Sequence, residues 1–189
     1  MIKKNFNKSL DFLKDSRKYI YSIAILFFIF ALIGYFIHVP TFVEKILELI
    51  QEILEKTKDM SFWELTWFIL FNNIKVSIMG LLIGILLGVL PVALAMVNGY
   101  LIGFVSSISV AEEGIFSLWK ILPHGIFELP AVFISLGLGL KLGLYIFFGN
   151  KKISFKKELI NSLRVFVFIV IPLLILAAFI ETSFIFFFR

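Results

Sequence analysis

The chain has 189 residues, of which 60% are hydrophobic, 17% aromatic and 16% charged, and its formal net charge is +5. About a quarter of the residues of a soluble domain are charged, so this composition excludes an ordinary soluble globule and indicates a polytopic integral membrane protein. There is no cysteine, which excludes a disulfide framework and Cys-based zinc sites, and the positive charge has a membrane explanation that requires no nucleic-acid partner.

Five apolar segments are long enough to cross a membrane as helices, which takes about 20 residues each. We expect spans at about 19–39, 65–90, 91–110, 123–149 and 163–180. The second and third are so close in sequence that they must form a tight antiparallel hairpin. The sequence therefore predicts an all-α, polytopic transmembrane helix bundle, with residues 1–189 forming one membrane domain.

Basic residues collect on one side of the predicted bundle. Most lie before the first span or around the connection between the fourth and fifth, namely Lys3, Lys4, Lys8, Lys14, Arg17, Lys18, Lys141, Lys151, Lys152, Lys156, Lys157 and Arg164. Cytoplasmic loops of membrane proteins carry an excess of Lys and Arg. We therefore expect a multi-pass protein of the cell membrane, with its N-terminus in the cytoplasm and its C-terminus outside.

The outer connection at 41–59 has the pattern of an amphipathic helix. Its apolar residues form one stripe, made of Phe42, Val43, Ile46, Leu47, Leu49, Ile50, Ile53 and Leu54. Thr41 and Glu44 match a capping box directly after Pro40, which ends the first span. Two interpretations stay open: the helix lies on the bilayer or over the bundle, or it docks a partner or a second copy of the chain.

Glycines recur at a spacing of four residues within the predicted spans. They are Gly80, Gly84 and Gly88 in the second span, Gly99 and Gly103 in the third, and Gly139 and Gly143 in the fourth. Small residues at this spacing allow close helix packing. With Asn73 and Ser77, the glycines of the second span share one helical face. That face is expected to pack against another helix, and the alternative is a narrow permeation path along it.

A few polar residues lie within the apolar segments, where they are costly and are candidates for function. They are Asn72, Asn73, Lys75, Asn98, His124 and Glu128. Lys75 follows Trp67 by eight residues, about 12 Å along a helix. Its ammonium group is expected either to extend to the outer interface or to pair with Glu128. Asn98 lies nearer the cytoplasmic end of its span, which separates it from the others.

His124 and Glu128 are four residues apart, so they share one face if this stretch is helical. They are interpreted either as a hydrogen-bonded pair that fixes the outer end of the fourth span, or as a proton-titratable or metal site completed by Glu112 or Glu113. No metalloprotease motif and no nucleophile elbow are present in the sequence. We therefore expect no enzyme, no cofactor and no bound metal; an intramembrane enzyme would need a further residue supplied by the fold.

The segment from Gly114 to Gly149 is too long for one span and too short for two. Pro123, Gly125 and Pro130 argue against one smooth helix. We expect a short outer or re-entrant helix over about 114–122, followed by a kinked fourth span. Such a break is either a transport site or a packing device.

The motif PHGIFELPA resembles the signature of the stage II sporulation protein M family. The matching positions are His124, Gly125, Glu128 and Pro130, together with Asn72–Asn73, Asn98–Gly99, Gly103 and the glycines of 137–143. The resemblance implies a polytopic α-helical protein without known enzymatic activity. In spore formers, the family member acts as a scaffold that recruits cell-wall hydrolases during engulfment.

Two functions follow from these observations. The first is a non-enzymatic membrane scaffold or assembly factor, and the alternative is a small transporter or channel for an ion or lipid that uses the intramembrane polar residues. The expected partners are the lipid bilayer and either a second copy of the chain, as a homodimer, or other membrane or cell-envelope proteins. No nucleic-acid partner is expected.

Overall fold

The structure is a computed structural model that describes residues 2–85, 88–148 and 154–187. Within these ranges, the side chains of residues 2, 41–42, 120–124, 146 and 148 lie outside the description. The helices are α1 (Ile2–Phe36), α2 (Pro40–Thr57), α3 (Phe62–Ile83), α4 (Val89–Glu113), a 3₁₀ helix (Ile115–Ile121), α5 (Leu122–Phe148), α6 (Phe155–Val165) and α7 (Ile171–Phe187), with a π-helical turn (Phe166–Val170) between α6 and α7.

Among the described residues, five helices are long and apolar enough to cross a membrane. They are α1, α3, α4, the part of α5 over Gly125–Tyr145, and the continuous helix Phe155–Phe187 that α6, the π turn and α7 form together. This finding confirms the predicted all-α membrane bundle.

The first helix is longer than the apolar segment predicted at 19–39. It begins at Ile2 and ends at Phe36, so a polar extension of 2–18 precedes the apolar part. In this extension Ser9, Phe12 and Ser16 are buried at a spacing of three and four residues. This spacing places the three side chains on one helical face. The extension is therefore helical because its own buried face packs on α6 and neighbouring helices.

The connection between α3 and α4 corrects the predicted bounds of 65–90 and 91–110. Helix α3 ends at Ile83, and α4 begins at Val89 directly after Gly88. Gly88 has φ 71°, a left-handed conformation that glycine adopts without a steric penalty. The chain therefore reverses at Gly88, before the boundary predicted between residues 90 and 91.

The short helix expected before the fourth span is present where it was predicted. The short helix over about 114–122 is the 3₁₀ helix Ile115–Ile121, and α5 then runs on through Pro130 as one helix. The predicted end at Gly149 falls outside the described residues.

Helix α5 is the centre of the bundle, because it contributes to two separate apolar cores. Leu138 and Leu142 pack with side chains of α3, the π turn and α7. Leu136 packs with side chains of α1 and α4, including Phe27 and Ala95. The two apolar cores therefore share α5, and they also share α1, whose Phe12 belongs to the first core and whose Phe27 belongs to the second.

Helix α6 and helix α7 are joined without interruption by the π turn. The backbone N–H of Ile171 donates to the carbonyl of Phe166, five residues earlier, which is the π-helical pattern. On α6 the buried face carries Glu158 and Ser162, whereas on α7 it carries Leu174 and Ala178. The predicted fifth span at 163–180 is thus the middle of a longer helix.

Candidate functional site

The described members of the predicted polar set lie on different surfaces of the bundle. Asn72 and Lys75 are exposed on α3, Asn73 is half-buried, and Glu128 on α5 is buried at 5% exposure. The side chain of Asn98 donates to the carbonyl of Leu94 on its own helix at 2.8 Å. The structure therefore does not connect Asn98 to the other members.

Lys75 and Glu128 form no ion pair with each other, and both side chains are within the described part of the chain. Lys75 lies past the middle of α3 and is exposed, so it points away from the bundle. Of the two fates expected for Lys75, pairing with Glu128 is not the one adopted.

The pair of His124 and Glu128 is only partly described. Both residues lie in the first two turns of α5, so their backbones have the helical spacing that the prediction requires. The side chain of His124 falls outside the described residues, and the interaction of the two side chains stays a prediction. Among the described residues, no group of three or more His, Asp or Glu side chains could hold a metal ion.

The glycine face of α3 lies directly on α5. A Cβ added at Gly84 would be 2.7 Å from the backbone of Gly139, and Cβ atoms at Gly139 and Gly143 would overlap the backbone near Gly80 and Gly88. Such distances leave no room for a side chain between the helices. Helix α5 therefore fills the face along which a permeation path was the alternative interpretation.

A hydrogen bond between helices lies beside these glycines. The hydroxyl of Ser135 on α5 donates to the carbonyl of Ser77 on α3 at 2.7 Å, and both residues are fully buried. Hydrogen bonds from Ser across membrane helices stabilise their packing. The bond is consistent with the close approach that the glycines allow.

The glycines of α4 make a similar approach to α1. A Cβ at Gly99 would overlap the backbone of Phe27, and one at Gly103 would overlap that of Ala31. A third overlap occurs in the opposite direction, between Gly34 of α1 and the backbone of Tyr100. Gly34 was not among the predicted packing glycines because it has no glycine partner four residues away.

We call the end of the bundle that carries residues 2–18 and 154–164 the basic end. A buried ion pair lies there between α5 and α6, and its cation also contacts α1. Lys141 Nζ of α5 lies 2.9 Å from Glu158 Oε2 of α6, and the two side chains are 15% and 9% exposed. The ammonium group of Lys141 also donates to the Ser16 hydroxyl at 3.2 Å and lies 3.8 Å from the centre of the Phe12 ring. One cation thus links α1, α5 and α6.

Sequence reasoning used Lys141 only as an orientation charge and did not single out Glu158. A signal was available, because Lys141 is the one charged residue in the apolar segment between Pro130 and Gly149. The same rule that selected Lys75 selects Lys141. Its partner could not be identified, because Glu158 follows a connection whose conformation the sequence does not specify.

Comparison with known families identifies a match over most of the chain. A sequence model described as Stage II sporulation protein M matches residues 23–184. The matched part begins within α1, ends within α7 and contains the glycine contacts and the buried ion pair. Neither the comparison with curated proteins nor that with solved structures gives a match.

Proposed function

Because the chain belongs to the stage II sporulation protein M family, we propose that it is a non-enzymatic membrane protein that serves as a scaffold or assembly factor for other membrane or cell-envelope proteins. The positive-inside bias supports an orientation with the basic end in the cytoplasm and α2 outside. The main support for the proposal is the apolar edge of helix α2, which the rest of the chain leaves exposed.

Helix α2 is well formed but packs little on the rest of the chain. Among its described side chains, Ile46 is the only one that is buried. Leu47 and Leu54 are 43% and 60% exposed, and they are seven residues apart, so they lie on the same edge of the helix. An apolar edge that the chain itself does not cover is suited to contact with a partner or the bilayer.

The opposite side of α2 is polar and charged. Lys56 donates a hydrogen bond to Glu52, and this bond, together with the attraction between the charges, lowers the pKa of the Glu52 carboxyl. The carboxylate is therefore charged at neutral pH. The edge of α2 that carries Leu47 and Leu54 is therefore the surface available for an apolar contact, and the side that carries Glu52 and Lys56 is not.

The bundle gives less support to the transporter alternative. The glycine face of α3 is filled by α5, and Lys75 points away from the bundle. The intramembrane polar groups described here therefore do not line one common path.

The first test is a flux assay on the purified chain in liposomes. We expect ion flux and transfer of labelled lipid to equal those of protein-free liposomes. Flux above this background that falls in the Glu128→Gln variant would contradict the scaffold proposal and favour transport.

The second test maps contacts of α2 in cells with a photoreactive residue at Leu54, and with one at Glu52 as a matched control on the charged side. We expect cross-links to a membrane or envelope protein, or to a second copy of the chain, from position 54 and not from position 52. Cross-links to lipid alone from position 54 would show that α2 is a surface anchor and would remove the main support for the scaffold.

A further inference from the structure

A basic cleft lies between the polar extension of α1 and helix α6. Its volume is about 570 Å³. Four cations line it, namely Lys8 of α1 and Lys156, Lys157 and Arg164 of α6. Two carboxylates of α1, Asp11 and Asp15, line the same cleft. The cleft therefore has a formal excess of two positive charges.

The four cations of the cleft are not neutralised by ion pairs with carboxylates, as far as the described side chains show. The nearest candidate on α6, Glu158, is buried and bound by Lys141. Arg164 Nη1 donates to Asn161 Oδ1 at 2.7 Å, which holds the guanidinium group on the wall of the cleft. Arginine has five N–H donors, so most of them stay available to a ligand.

The cleft lies beside the level where the apolar segments begin. Arg164 is followed directly by the apolar run of the last helix, and Lys18 of α1 is likewise followed by its apolar run. Lys157 lies seven residues before Arg164, about 10 Å along the helix. The head-group layer is roughly 5–8 Å thick on each side of a bilayer, so these cations cover the depth of lipid phosphates.

We propose that this cleft binds a phosphate group, as carried by the head group of an anionic phospholipid. Lysine and arginine form short, charge-assisted hydrogen bonds with phosphate oxygens, and basic pockets between helices at the cytoplasmic side of membranes bind anionic head groups. A free inorganic phosphate presents the same chemistry. The depth of Arg164 favours the lipid.

Lipid binding to the full-length chain tests the proposal. The protein is purified in detergent, stripped of lipid, and titrated with phosphatidylglycerol, with phosphatidylcholine of the same acyl chains, and with inorganic phosphate, while native mass spectrometry counts bound molecules. The cleft variant is K156Q/K157Q. The control is K3Q/K4Q, which removes the same charge from exposed residues of the same end outside the cleft.

We expect phosphatidylglycerol to bind the unaltered chain more tightly than phosphatidylcholine, and K156Q/K157Q to weaken that binding by about ten-fold or more. K3Q/K4Q should change it by less than about two-fold. Release of phosphatidylglycerol by inorganic phosphate would show that the phosphate group alone is recognised, and retention would show that the whole lipid is. Equal weakening in both variants, or no preference for phosphatidylglycerol, would overturn the proposal.

The variant Arg164→Gln gives an independent measurement within the same cleft. It should weaken the binding of phosphatidylglycerol. A separate control compares the thermal unfolding temperature of K156Q/K157Q with that of the unaltered chain. We expect equal temperatures, because the two exposed lysines are not needed for folding. Unchanged lipid affinity in Arg164→Gln would contradict binding of the phosphate group within the cleft.

Discussion

The ion pair between Lys141 and Glu158 should be strongly coupled, and a double-mutant cycle can measure this coupling. The variants are Lys141→Met, Glu158→Gln and the two combined. Each single variant leaves one charge or one polar group buried without its partner, since the side chains are 15% and 9% exposed. Loss of one member of a buried pair costs about 3–5 kcal/mol.

The magnitude follows from the geometry. At 2.9 Å and an effective dielectric constant of about 20, the attraction between the charges is about 6 kcal/mol. Desolvation of the two ions offsets several kcal/mol of it, and the partial exposure of Lys141 reduces the cost of a lone charge. We therefore expect each single variant to lower the free energy of unfolding by about 3 kcal/mol, and the double variant to lose about 2 kcal/mol less than the sum.

The assay is SDS-induced unfolding in detergent micelles, followed by far-UV circular dichroism. Lys14→Met is the matched control, because Lys14 is an exposed cation of the same end and should change the free energy of unfolding by less than about 0.5 kcal/mol. If the effects of the two single variants add to that of the double variant within about 0.5 kcal/mol, the pair does not hold α5 to α6 as we argue.

Four further variants, one of them a control, test the bundle itself. Gly84→Ala should lower the free energy of unfolding by about 2 kcal/mol, because its Cβ would lie 2.7 Å from the backbone of α5. The control Gly125→Ala should leave this free energy unchanged, because its Cβ would meet one side-chain atom at 3.8 Å. Equal free energies for the two variants in SDS unfolding would contradict this reasoning. Ser135→Ala should cost about 1 kcal/mol in the same assay through loss of its bond to α3, and no loss would mean that the bond does not stabilise the bundle. Lys75→Leu should make insertion of α3 more favourable by about 3–4 kcal/mol in a glycosylation-based insertion assay, without lowering the free energy of unfolding. A lower free energy of unfolding would indicate that Lys75 does pair with Glu128.

Hydropathy was sufficient to predict the fold, because the apolar segments are long enough for five spans and polar residues separate all of them except the second and third. It failed at helix ends. The extension of α1 over 2–18 is polar, and its helical state depends on packing against α5 and α6, which are far away in sequence. Its buried residues Phe12 and Ser16 contact Lys141 of α5. The end of α3 was missed because Gly88 reverses the chain within an uninterrupted apolar stretch.

The candidate site was predictable only as a set of residue types. Rules for charges at depth select Lys75, Glu128 and Lys141 equally well, but they do not say which side of a helix faces the bundle. In the structure Lys75 faces outward while Lys141 is mostly enclosed, and this difference depends on how α5 sits between its neighbours. The basic cleft was likewise not predictable, because its two walls come from opposite ends of the chain.

The π turn at Phe166–Val170 makes the last helix sensitive to the deletion of a residue. It contains about one residue more than an α-helical turn would, and each residue of an α-helix turns the next by about 100°. The extra residue therefore sets the angle between the face that presents Glu158 to Lys141 and the face that presents Leu174 to the apolar core. Removal of a single residue here would leave both halves helical and equally apolar. However, only one half could then keep its contacts, either those of Glu158 with Lys141 or those of Leu174 with the apolar core. This helix is therefore more sensitive to a one-residue deletion than to most substitutions along it.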